Sequence, residues 1–98
     1  VMVPFFNNSE MVNSSGIYKS KKNNFKIELK PDGTYTSDTI PSLQIPKNGI
    51  WKTGGIDGMF EFYDNNGDLV DYASNGIYPD GTEVLNFISN NTDFIKIE

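Results

Sequence analysis

The chain predicts an all-β fold, an antiparallel meander of seven or eight short strands that forms a small barrel or a strongly curled sheet. Three observations carry this expectation. Six of the nine glycines directly follow Asp or Asn: Asp32-Gly33, Asn48-Gly49, Asp57-Gly58, Asn66-Gly67, Asn75-Gly76 and Asp80-Gly81. Such pairs suit tight reversals, type I′ turns above all, because glycine accepts a positive φ and Asn and Asp tolerate it. The segments between them alternate apolar and polar residues, the period of a half-buried strand. No stretch sustains the i, i+3, i+4 apolar stripe of a helix, and alanine occurs once, at Ala73.

The strands are placed at 16–20, 24–30, 34–38, 49–53, 57–63, 68–74, 82–88 and 92–97. Residues 1–15 are read as a partly ordered N-terminal extension, with room for a short helical turn near Asn8–Asn13, and 16–98 as a single β domain. In FKIEL, Phe25, Ile27 and Leu29 share one face and Lys26 and Glu28 the other. GMFEFY places Phe60 and Phe62 together. EVLNFIS is apolar on both faces apart from Asn86, as a covered strand is. DFIKIE is read with Ile95 and Ile97 inward and Lys96 and Glu98 outward. The expected core is Tyr18, Phe25, Ile27, Leu29, Tyr35, Trp51, Phe60, Phe62, Leu85, Phe87, Ile95 and Ile97. The link at 39–48 contains Pro41 and Pro46, which cannot donate to a ladder, so it is a loop or an edge. Its Ile40, Leu43 and Ile45 suggest that it folds over an opening of the sheet.

The composition excludes much chemistry. With no cysteine there is no disulfide, thiolate metal site or cysteine nucleophile. With no histidine there is no Ser-His-Asp triad, and the commonest metal ligand is missing. All eight positive charges are lysine, so the planar fork that grips phosphate in two places is absent. The net charge is −5, and the acids crowd into the second half. Nucleic acid is not an expected partner, and a membrane is expected only through an N-terminal anchor. VMVPFF at the start is apolar but lacks the length and basic flank of a signal peptide. It fits either a first strand or the stub of a removed leader.

Several short motifs hint at sites. PDGT occurs twice, at 31–34 and 79–82, each time between alternating segments. A phosphate cradle would need more glycines, a lysine and a following helix, so both copies are read as hairpin bends. DNNGD at 64–68 has the D-x-N-x-D spacing of a calcium loop. However, its glycine is misplaced and Asn75 stands where the bidentate acid belongs, so a turn is favoured and no metal is assigned. Lys19, Lys21, Lys22, Lys26 and Lys30 near Tyr18 and Phe25 resemble the basic–aromatic mix of single-strand nucleic-acid binders. The missing arginine and the negative total favour a solvated face instead. The lone Trp51 suits either a core plug or a stacking residue at the mouth of a barrel.

The run FKIELKPDGTYTS followed by GIWK resembles small bacterial secreted or lipoprotein domains of lipocalin-like type. The matching residues are Leu29, Asp32, Gly33, Thr34 and Tyr35, then Gly49, Ile50 and Trp51. The resemblance covers roughly residues 16–63. It implies an extracytoplasmic location and a meandering antiparallel sheet, and it supplies no catalytic residues and no cofactor.

Three functions are carried forward. One is a non-catalytic binding module with a small apolar ligand in a pocket lined by Trp51, Tyr35, Leu43 and Ile45. Another is an acidic protein-binding module, of inhibitor or immunity type, that meets a basic partner. The last is an enzyme acting through carboxylates alone, which would need a paired, buried Asp or Glu; it is disfavoured, and the chain is read as not an enzyme.

Overall fold

The computed structural model describes residues 12–22, 24–38, 45–55, 58–89 and 91–98. Eight antiparallel strands form a closed barrel in simple sequence order. They are β1 (Gly16–Ser20), β2 (Lys26–Leu29), β3 (Thr34–Ser37), β4 (Asn48–Lys52), β5 (Phe60–Tyr63), β6 (Leu69–Ile77), β7 (Glu83–Phe87) and β8 (Thr92–Lys96). The ring is completed where β8 pairs with β1, with Tyr18 opposite Lys96, Lys19 opposite Ile95 and Ser20 opposite Phe94. Closure removes the unpaired edges of an open sheet. Residues 12–14 make one helical turn beside the barrel. Residues 1–11 and Asp57 lie outside the described residues, as does most of the proline-containing link, Leu43 included.

The alternation seen in the sequence becomes inside and outside. Tyr18, Ile27, Leu29, Tyr35, Trp51, Phe60, Phe62, Ala73, Leu85, Phe87 and Phe94 are buried and form one cluster. Neighbouring rings run across the interior, Tyr35 to Phe62 at 5.4 Å, Phe62 to Phe87 at 5.0 Å and Phe87 to Phe94 at 5.5 Å. Rings at such spacings pack edge-to-face or tilted, and each contact adds to the burial of its area. In eight-stranded barrels the inward side chains nearly fill the space, and seven of the eleven buried hydrophobic side chains described here are aromatic.

Two sequence expectations need correction. β8 points the other way: Phe94 is fully buried, Ile95 is half-buried and Ile97 is 45% exposed. Register decides this. Phe94 sits opposite Leu85 on one side and Ser20 on the other, both inward, so Phe94 must also be inward. Lys96 shares that inward face, yet it lies at the barrel end, where its Nζ donates to the Asn13 carbonyl at 3.0 Å and pairs with Glu83 at 3.4 Å. Phe25 is half-buried and packs against the cluster from its margin.

The second correction concerns the turns. Asn48-Gly49 and Asn75-Gly76 lie within strands β4 and β6. Type I′ would require positive φ at both central residues. Among the described residues the only non-glycine with positive φ is Asn91, at 53°. The bends after Lys30, Asp64 and Tyr78 are instead three-residue loops closed by a left-handed glycine: Gly33 (φ 93°), Gly67 (φ 90°) and Gly81 (φ 92°). Each glycine N–H donates to the carbonyl three residues back, at 3.1, 3.1 and 2.8 Å respectively.

Candidate functional site

The two PDGT copies are the same object twice. Lys30 N–H donates to the Thr34 carbonyl, and Tyr78 N–H donates to that of Thr82. The Asp32 carboxylate accepts the Thr34 N–H at 2.9 Å and the Thr34 hydroxyl at 2.7 Å, and Asp80 accepts the Thr82 N–H at 2.9 Å. The bonds from Thr34 hold the Asp32 carboxyl below its ordinary range, and those from Thr82 do the same for Asp80. DNNGD is built alike, with an Asp64 oxygen accepting the N–H groups of Asn66 and Asp68 at 2.9 Å each. That oxygen is committed to the bend, and among the described residues no cluster of acids is placed to hold a metal ion.

Of the four residues read as a ligand pocket, Trp51, Tyr35 and Ile45 are described. Trp51 is fully buried and its indole Nε1 donates to the Lys30 carbonyl at 2.9 Å, beside the first PDGT bend. The indole also packs on Phe60 at 5.6 Å. These contacts make it a core plug with its polar end satisfied. Ile45 belongs to the chain entering β4, at the opposite end of the barrel, and it is partly buried against the core. Leu43 lies outside the described residues.

Tyr35 lies between those ends. It is fully buried opposite Gly49 on β4. A Cβ at Gly49 would stand 2.9 Å from the Tyr35 ring and hydroxyl and would clash with the Tyr63 carbonyl oxygen, so only glycine admits the ring here. The Tyr35 hydroxyl has no hydrogen-bond partner among the described residues. Burial, with a smaller contribution from the negative charge of Asp64, pushes its pKa up to about 12. Tyr18 differs: its equally buried hydroxyl donates to the Ser14 carbonyl at 2.7 Å, and burial, then the charge of Glu83, drives its pKa up as well.

Among the described carboxylates Asp71 is the buried one, and both its oxygens are occupied, one by the Tyr72 N–H at 2.8 Å and the other by the Ser89 hydroxyl at 2.7 Å. Glu61 accepts the Tyr63 hydroxyl at 2.7 Å on the outer surface, and that bond raises the Tyr63 pKa.

The strongest organisation lies outside the barrel, in its charge. The β1–β2 hairpin carries Lys19, Lys21, Lys22, Lys26 and Lys30 against a single acid, Glu28. The β5–β6 hairpin carries Glu61, Asp64, Asp68 and Asp71 and no lysine. In a closed ring of eight strands in sequence order, β1 stands across from β5 and β2 across from β6. The two hairpins therefore put opposite charge on opposite sides. Of the two aromatics in the basic–aromatic reading, Tyr18 points into the core and Phe25 is half-buried. Sequence reasoning missed that Ile95 and Ile97 join Lys19, Lys21 and Lys22 around one outer groove, because it had turned β8 the wrong way. Comparison with protein-family models, with curated proteins and with solved structures returned no match.

Proposed function

We propose that this chain is a non-catalytic protein-binding module that works through its outer surface, with the acidic β5–β6 side facing a basic partner. The observation that carries the reading is the filled interior. Among the described residues eleven buried hydrophobic side chains, Trp51 and Tyr35 among them, pack as one cluster, which favours recognition at the exterior. The acid-rich hairpin, with Lys52 of β4 across the ladder from Glu61, supplies a mainly negative field, which speeds encounter with a partner of opposite sign and disfavours others. A non-catalytic role is supported by the absence of His and Cys from the sequence and by the hydrogen bonds that occupy Asp71. The lipocalin-like motif supports an extracytoplasmic setting.

The test is retention of partners from the native host on immobilised protein at low salt, compared with the Glu61→Gln/Asp64→Asn/Asp68→Asn variant. A partner held by the parent chain, lost from the variant and released by salt supports the reading. Saturable quenching or a spectral shift of Trp51 by an alkyl ligand, with no salt-sensitive partner, would replace it with an apolar pocket.

A further inference from the structure

We propose that the lysine-rimmed groove on the outer face of β8 and β1 docks the protein onto an anionic lipid surface. The groove has a volume of about 400 Å³, with Lys19, Lys21 and Lys22 beside Ile95 and Ile97. Lys19 stands directly opposite Lys26 across the β1–β2 ladder. Like charges in that position repel, and the arrangement gains from an anion outside the strands. Among the described residues the ion pair is Lys96 with Glu83, away from this groove. Lys21 reaches Tyr78, its Nζ 5.2 Å from the ring centroid and donating to the hydroxyl at 3.4 Å.

Three features favour a lipid surface over a soluble acidic protein. Ile97 is 45% exposed among the lysines, and an apolar side chain beside lysines suits the headgroup–acyl boundary. Lysine without arginine provides point charges, which suffice for a fluid layer of headgroups and suit a fixed bidentate site less well. The acids of β5–β6 lie on the far side of the ring, beyond the Debye length of roughly 8 Å at physiological salt. Asp93 shares the outward face of β8 with Ile95, and its carbonyl accepts the Lys21 N–H at 3.2 Å, so three groove lysines stand against one neighbouring acid. The local balance stays positive, and the net charge of −5 does not decide the outcome. The same geometry turns the acidic hairpin outward, free for a partner of its own.

Sedimentation with vesicles tests this, using phosphatidylcholine alone and phosphatidylcholine with about 30 mol% phosphatidylglycerol, at low and physiological salt. Partition onto the anionic vesicles should exceed that onto neutral ones by about tenfold at low salt and fall as salt rises. Lys19→Gln/Lys21→Gln/Lys22→Gln should abolish the preference. Lys30→Gln/Lys47→Gln/Lys52→Gln, with the same change in charge, should keep it within about twofold. Ile97→Ser should weaken binding at physiological salt. Near-UV circular dichroism checks each variant for folding, and the single change Lys22→Gln serves if the triple does not fold. Equal binding to both vesicle types, or equal loss in both triple variants, would overturn the proposal. So would binding to soluble polyglutamate with the same lysine dependence and no effect of Ile97→Ser, which would mark a surface for an acidic protein.

Discussion

Gly49 shows how one missing atom can set a core. Its neighbours leave no room for a Cβ, and the space goes to the Tyr35 ring across the ladder. Overpacking of this kind costs typically about 1–3 kcal/mol, and a backbone oxygen cannot swing aside as a side-chain tip does. Gly49→Ala should therefore lose at least about 2 kcal/mol, measured as a lower urea midpoint with an unchanged slope. A loss below about 0.5 kcal/mol would show that Tyr35 moves freely and that the contact is not what the geometry says. Among the sequence's Asn-Gly and Asp-Gly pairs this glycine looked like every other. Its role as a seat for an aromatic ring depends on a neighbour across the sheet, which local sequence does not reveal.

At the scale of the strand, β8 shows what periodicity can and cannot tell. Alternation in DFIKIE correctly makes it a strand, and all eight strands overlap the segments read for them, with β6 running on to Ile77 through the Asn75-Gly76 pair read as a turn. The choice of face was the ambiguous part. Two isoleucines compete with a phenylalanine and a lysine, and the lysine tips the reading outward. The lysine is acceptable on the inner face only because the strand ends there, at Glu83 and the Asn13 carbonyl. The turns show a similar limit: of the Asp-Gly and Asn-Gly pairs, those at 32–33, 66–67 and 80–81 reverse the chain while those at 48–49 and 75–76 run within strands. Mutation separates the two faces of β8. Phe94→Ala should cost about 3–5 kcal/mol and Ile97→Ala less than about 0.5 kcal/mol in chemical unfolding. The reverse order would restore the orientation first read from the sequence.

For the whole molecule, the two buried tyrosines set the behaviour in alkali. Both hydroxyls have pKa values raised by burial, that of Tyr35 to about 12. Since the folded value lies above the unfolded one near 10, the neutral form is favoured in the barrel. The associated stability is complete below pH 10 and is lost as pH rises through about 12. Thermal melts should hold steady up to about pH 10 and then drop by more than about 5 °C by pH 12. Tyr35→Phe should blunt that drop and keep the stability at neutral pH, because the hydroxyl it removes has no partner among the described residues. The candidate site was only half legible in the sequence. The lysines of 19–30 and the later acids were visible as runs, but their placement on opposite sides required the ring to close.

That closure has a cost in time. β1 and β8 are nearly the whole chain apart, and no hairpin joins them where they pair. Backbone bonds from Lys21 to Asp93, Ile17 to Glu98 and Ile97 to Ile17 extend the join. A contact between such distant segments forms late, after the hairpins have organised. It is also the natural place for the ring to part. A parted seam bares two complementary edges at once, and a second molecule in the same condition offers the same pair. Crowded or partly denatured samples should therefore associate by trading their last strand, each β8 completing the barrel of its neighbour.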